Sequence, residues 1–157
     1  MRAFLWNIFL AMLWASLAGQ LTVFNLAVGF ALGALVLSFV RREGGSERYF
    51  VKLRQAVGLA AFFLWELLLS NLRVAYDVVT PHHYMRPGIV AVPLDAETDA
   101  EITLLANLLT LTPGTLSLDV SADRRFLYVH MMYIEDADVA RRQIKDGYER
   151  RVLEVLR

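Results

Sequence analysis

The sequence contains no cysteine. Disulfides and thiol chemistry are thereby excluded, and redox usage says nothing about compartment. Charge is missing over a long stretch. From Ala3 to Val40, 38 residues pass without an Asp, Glu, Lys or Arg. Also missing are a Walker-type phosphate loop, a GxGxxG and an HExxH motif, so the usual signatures of nucleotide and zinc-hydrolase chemistry are not there. Net charge is zero. Residues 81–157 are mildly acidic, with nine Lys/Arg against twelve Asp/Glu, which argues against nucleic acid as a partner.

What is abundant is apolar surface. Hydrophobic residues make up 57% of 157 residues, and the mean hydropathy is positive. A bilayer span needs about 20 mostly apolar residues, so the uncharged run fits two short spans, Met1 to about Ala18 and about Leu21 to Val40. Gly19-Gln20 is the break, and so short a loop makes the helices antiparallel neighbours. A membrane hairpin over 1–41 is predicted. The first 20 residues also have the outline of a signal peptide, with Ser16-Leu17-Ala18 as a cleavage site. A second apolar segment follows at once, which favours the hairpin. Arg2 precedes it, and Arg41, Arg42, Arg48, Lys52 and Arg54 follow; by the positive-inside bias both ends are cytoplasmic. Gly29 and Gly33 form a GxxxG, a close-packing surface for the first helix or for a neighbouring protein. Asn7, Gln20 and Asn25 are polar but not ionisable, so the hairpin has no ion relay of its own.

Residues 49–80 read as a long amphipathic or membrane-associated helix. Lys52, Gln55, Glu66, Ser70, Arg73 and Asp77 share a stripe that Phe62 interrupts. Either Gln55 to Leu72 crosses the bilayer with Glu66 buried, or the helix lies at the interface or against partners with its polar stripe outward. Glu66 is the one ionisable residue placed for an intramembrane or interface role; the plainer reading is a carboxylate on a polar stripe, paired with Arg73 or with a partner subunit. Thr80-Pro81 ends the helix. In the linker "PHHYMRPG", His82-His83 lack a third ligand at metal spacing; a solvated linker is expected, with no metal and no cofactor.

Residues 88–157 are predicted to form a small α+β domain, β-α-β-β-α, expected on the cytoplasmic side. "GIVAVPL" is a strand whose Pro93 suggests an edge or an end. Thr98-x-x-Glu101 is a capping box that starts a helix near Asp99. Ile102 to Leu118 run uncharged for 17 residues, yet Thr112-Pro113-Gly114-Thr115 has type II turn chemistry. Beyond it "TLSLDVS" alternates, with Leu116, Leu118 and Val120 on one face. The stretch is therefore helix, turn and strand rather than a span, with a Leu104-Leu108-Leu111 edge whose burial decides whether it meets lipid. "FLYVHMMY" returns as the second strand of a hairpin. Asp136 caps a last helix with the stripe Ala140, Ile144, Tyr148, Val152 and Val155. Ser117, Asp119 and His130 are triad residue types without triad spacing; they are expected to be ordinary sheet residues, and the chain is not expected to be an enzyme. The whole reads as a membrane protein with a helical hairpin, a long third helix and an α+β domain too small to be very stable alone.

"LLANLLTLTPGTLSLDV" followed by "FLYVHMM", after an apolar hairpin, resembles the E-type component of the multisubunit Na+/H+ antiporters of the Mrp or Mnh type, the MnhE family. Leu111, Thr112, Pro113, Gly114 and Thr115 are the signature positions. The resemblance implies an accessory subunit of a bacterial cytoplasmic-membrane complex that exchanges Na+ for protons. In that family the large subunits are expected to hold the proton machinery, and this one to support assembly and activity among the other subunits and the lipid bilayer. No catalytic motif transfers with it. The alternative is a stand-alone membrane-anchored protein-interaction domain; a tethered hydrolase ranks far below.

Overall fold

The computed structural model describes residues 2–40, 46–81 and 85–157. Arg41, Arg42, His82 and His83, on which the charge-bias and linker readings partly rest, lie outside the described residues. The chain divides into two compact units, Met1–Arg54 and Gln55–Arg157.

The first unit is a helical hairpin. Helices α1 (Arg2–Leu17) and α2 (Val23–Val40) have 16 and 18 residues. At 1.5 Å per residue they are about 24 and 27 Å long, slightly less than a hydrocarbon core of about 30 Å. Gly19 turns the chain with φ +68°, a conformation open to glycine at little cost. Asn25 donates to the Gln20 carbonyl at 2.8 Å, and its own N–H is accepted by Thr22 Oγ1 at 3.2 Å. Two of the three polar residues noted in the sequence thus serve the turn. The outward surface is almost wholly apolar: Leu5, Trp6, Phe9, Met12, Phe24 and Leu35 are all exposed.

The second unit joins most of α3 (Ser46–Val79) to the α+β domain. Strands β1 (Gly88–Pro93), β2 (Thr115–Val120) and β3 (Phe126–Met131) form an antiparallel sheet ordered β1-β3-β2. Helix α4 (Asp99–Leu111) begins where the capping box requires. Thr98 Oγ1 accepts from the Glu101 N–H, and Glu101 Oε2 accepts from the N–H groups of Thr98 and Glu97. A continuous helical run closes the domain: α5 (Ala137–Arg142), a π-helical stretch (Gln143–Glu149) and α6 (Arg150–Leu156). Asp136 caps it by accepting from Asp138 and Val139 N–H. The π stretch has a sequence cause. Ala140, Ile144, Tyr148 and Val152 are all buried and recur every four residues. In an α-helix each such step drifts about 40° around the axis; a wider turn cancels the drift and keeps all four facing the core. That core holds Leu105, Leu109, Leu127, Val92 and Val129, each at most 1% exposed.

Two expectations are corrected, and one that was left open is answered. The clean alternation of β2 fails, because the register between β2 and β3 shifts between Ser117 and Asp119. Leu116, paired with His130, and Leu118, at the bulge, are exposed, while Thr115 and Ser117 turn to α4; beyond the bulge Val120 pairs with buried Leu127. Next, the leucine edge of α4 is mostly covered: Leu108 is buried, Leu104 half-buried, and only Leu111 exposed, at 63%. The third concerns the polar stripe of α3, whose Glu66, Arg73 and Asp77 face the domain rather than water, as described next.

Candidate functional site: the seam between the third helix and the domain

One face of α3 lies against the α+β domain. Leu59 is buried in the core, with Phe62 and Phe63 packed against it. The ring of Phe62 meets Tyr148 edge-on at 5.1 Å and carries the Arg151 guanidinium 4.0 Å above its centroid. About three turns further on, Arg73 sits over the Tyr133 ring at 5.4 Å. One turn beyond, the buried carboxylate of Asp77 accepts from the Tyr133 hydroxyl at 2.5 Å. That bond to a carboxylate, with burial behind it, pushes the Tyr133 hydroxyl above its ordinary pKa.

Glu66 lies on this same face, half-buried. It is near enough to add to the upward push on the Tyr148 hydroxyl, whose main cause is burial. Of the two partners considered for Glu66, Arg73 is turned to Tyr133 instead. The physical reason for the corrected stripe is the domain itself. It offers aromatic rings, hydroxyls and a guanidinium from Tyr133, Tyr148 and Arg151, which match a mixed polar and aromatic face better than an aliphatic one.

The signature turn adjoins this seam. Thr115 N–H donates to the Thr112 carbonyl at 3.1 Å and Gly114 has φ +87°, the geometry of a type II turn. Thr112 is buried; its hydroxyl donates to the Leu108 carbonyl and shares a hydrogen bond with the Tyr148 hydroxyl at 3.2 Å. Thr115 Oγ1 donates to the carbonyls of Leu109 and Thr112. A Cβ on Gly114 would stand 3.3 Å from the Tyr133 ring. Leu111, the first signature residue, is the exposed one. The turn therefore touches Tyr133 and Tyr148, the two tyrosines that hold α3.

A second polar cluster, which sequence reasoning missed, fastens the β1–α4 loop. Glu149, 1% exposed, accepts from the N–H groups of Asp95 and Ala96 through Oε1, while Lys145 lies 3.0 Å from Oε2. Burial lowers the Lys145 pKa, but its bonds to Asp95 and Glu149 outweigh that and hold it above the ordinary value. Arg157 donates to Glu101 at 2.9 Å and to the Asp95 carbonyl. Chiefly through that guanidinium, and then through the backbone N–H groups of its capping box, Glu101 is held down at about 2. Lys145 and Arg141 also donate to the Pro93 and Ala91 carbonyls, which blunts the open edge of β1. Glu149 is legible only as the partner of Lys145 four residues earlier; its backbone partners lie more than 50 residues away.

The remaining candidates separate. Ser117 donates to the Ala106 carbonyl on the core side, whereas His130 is paired with Leu116 and faces the other way. Asp119 is exposed and accepts from Val120 N–H. The three cannot form a triad. In the hairpin, Gly29 and Gly33 face α1. A Cβ on Gly29 would fall 2.8 Å from the Ala11 carbonyl oxygen and from Trp14 Cβ; one on Gly33 would meet the Asn7 side chain and, at 3.0 Å, Leu10 Cβ.

The helical hairpin carries no charge from Ala3 to Val40, and the buried carboxylates Glu101 and Glu149 of the domain are bonded within the chain. The sequence profile of the Na+/H+ ion antiporter subunit family matches residues 7–155. The E-type Na(+)/H(+) antiporter subunit of Bacillus subtilis (strain 168) is 41% identical over 151 residues, 96% of both chains. Its counterpart from Alkalihalophilus pseudofirmus is 36% identical over 149 residues, covering 95% of this chain and 94% of that one. The chain therefore belongs to the Na+/H+ ion antiporter subunit family. Among solved structures, a chain of the Mrp complex from a Dietzia species matches with TM-score 0.51 and 30% identity, covering 65% of this chain and 96% of that one. A chain of the membrane-bound sulfane sulfur reductase, an archaeal respiratory membrane complex, matches with TM-score 0.59 and 27% identity over 96% of each. The protein is a membrane protein and a subunit of a multisubunit membrane complex.

Proposed function

We propose that this chain is an accessory subunit of a multisubunit antiporter that exchanges Na+ for protons across the bacterial cytoplasmic membrane, supporting assembly and activity without carrying the ion path. The observation that carries this reading is the fate of the ionisable groups. The hairpin has none from Ala3 to Val40. On α3, Asp77 is bonded to Tyr133, Arg73 is stacked on it, and Glu66 faces the same domain. An ion path needs titratable groups along a membrane-depth pore, and this chain offers no such series among the described residues. The likeness to a chain of a respiratory reductase complex supports the same reading: a fold that occurs in complexes of different chemistry is not the part that sets the chemistry. The outer face of the sheet, with Ile89, Leu116, Leu118, Phe126 and Tyr128 exposed, supplies apolar surface for neighbouring subunits.

In this reading residues 1–41 are the bilayer-crossing hairpin, residues 49–80 the membrane-associated helix, and residues 88–157 a cytoplasmic domain. The basic residues on either side of the hairpin support the cytoplasmic placement. Exchange should be measured in inside-out vesicles carrying the complex with Glu66→Ala, and in vesicles lacking the chain. The expected results are an unchanged pH dependence of exchange for Glu66→Ala, and loss of exchange together with loss of the assembled complex when the chain is absent. A shifted pH profile in a normally assembled Glu66→Ala complex would put Glu66 in the ion path and refute the accessory role.

A further inference from the structure

The face of α3 turned away from the domain is apolar and uncovered. Val57, Leu64, Leu68, Leu72 and Val79 fall within an arc of about 80° by helical spacing. All five are at least half exposed, Leu64 at 62% and Val79 at 78%. Ala61 and Ala75 fill the same arc, and no charged or polar side chain interrupts it. Trp65 and Tyr76 border it on one side and Asn71, whose amide donates to the Leu67 carbonyl, on the other, all three exposed. α3 holds the one stretch among the described residues, Val51–Val79, that is long and apolar enough to cross a membrane.

The opposite face forbids that crossing. The domain is fastened to α3 from Leu59 to Asp77, about 27 Å of helix at 1.5 Å per residue. Putting that length through the bilayer would carry the domain into hydrocarbon with it. Asp136, Asp146 and Arg150 are exposed on the domain, and charges carried to that depth cost several kcal/mol each. The chain also limits where α3 can go. From Val40 to Ser46 there are six peptide steps, at most about 20 Å fully extended. The start of α3 is thus tethered to the end of the membrane hairpin. Between lipid and a protein partner, the arc favours lipid. It presents no group for directional recognition, and it is bordered by a tryptophan and a tyrosine, the residues enriched at the headgroup level.

We propose that α3 lies in the plane of the bilayer surface. Its Val57–Val79 face is sunk to the boundary of headgroups and acyl chains, and the α+β domain rides on the opposite face. An interfacial amphipathic helix of this kind sinks about 5–10 Å. The placement of the hairpin across the bilayer comes from the preceding section; the in-plane lie of α3 rests on its own two faces.

The absence of cysteine makes the test direct. Single cysteines at Val57, Leu64, Leu68, Leu72 and Val79, and one at the exposed hairpin position Leu13, are spin-labelled in the assembled complex in phosphatidylethanolamine/phosphatidylglycerol vesicles. Relaxation by oxygen and by a water-soluble nickel chelate is then compared at each site. In-plane α3 gives one shallow oxygen-to-nickel ratio at all five positions. A ratio that peaks several-fold at Leu68 and falls toward Val57 and Val79 means that α3 crosses, and overturns the proposal. Exclusion of both relaxants along the arc means a protein partner covers it, and overturns it equally. Leu13 reads the hairpin separately: a shallow value there with a uniform shallow α3 would remove the crossing hairpin and still support in-plane α3.

Discussion

Closing the hairpin on itself through Gly29 and Gly33 makes a graded, unusual prediction. A Cβ at Gly29 would stand 2.8 Å from a backbone oxygen and from Trp14 Cβ, and 2.9 Å from Ala11 Cα. Nothing there can rotate away, so the helices must part by roughly 0.6–1 Å, and a gap of that size forfeits a quarter to a half of each nearby dispersion contact. Overpacking of this kind costs about 1–3 kcal/mol. At Gly33 the nearest atom is closer still, but it is the end of the Asn7 side chain. That is the far end of a side chain rather than backbone, and the next atom, Leu10 Cβ, stands at 3.0 Å, so Gly33→Ala should cost less than Gly29→Ala, about 1 kcal/mol. The order is thus the reverse of what the raw distances suggest. Asn7→Ala should relieve Gly33→Ala and leave the cost of Gly29→Ala unchanged, a coupling that a double-mutant cycle isolates. Donor and acceptor dyes on cysteines at Phe4 and Phe30, whose rings are 6.3 Å apart, report opening of the hairpin as SDS is titrated. Gly29→Ala should move the midpoint most. An effect of Gly33→Ala equal to or larger than that of Gly29→Ala, or no effect of either, would refute the packing argument.

Other consequences follow from the seam and the staples. Tyr133→Phe removes one hydrogen bond and leaves the buried Asp77 carboxylate without its donor, which should cost about 1.5–3 kcal/mol; unfolding of the purified chain in detergent should show it, and Asp77→Asn should lose less, because no charge is left stranded. Gly114→Ala forces a side chain into φ +87° and against the Tyr133 ring, so a loss of about 1–3 kcal/mol is expected, with Gly147→Ala as a milder comparison because its neighbour is only the Phe62 ring. Glu101, held at about 2 in the folded state against 4.5 normally, contributes stability that is complete above about pH 4.5 and lost as pH falls toward 2. Arg157→Gln should flatten that acid branch of the unfolding curve, and an unchanged acid branch would show that the staple does not form.

The elements that could be read from sequence are those set by neighbours in the chain. Thr98 and Glu101 are three residues apart and cap each other; Pro113-Gly114 fixes its own turn; Asp136 finds its N–H donors two and three residues on. The features that could not be read depend on partners far away. Leu116 and Leu118 alternate as a core strand should, yet they face outward, because Thr115 and Ser117 take the inner face and reach carbonyls of α4. The stripe of Gln55, Glu66, Arg73 and Asp77 looks like a face for water. Only the folded domain reveals Tyr133 and Tyr148 as its partners. Glu149 looks like a surface residue until the backbone of Asp95 and Ala96 is brought onto it.

The central claim is that this chain works as one part of a larger antiporter. Purification from native membranes in mild detergent, with the chain tagged, tests it most directly. The account predicts a stable particle containing several distinct hydrophobic subunits, which catalyses Na+-dependent proton exchange when reconstituted. Recovery of the chain alone, as a monomer or a homodimer, would contradict it.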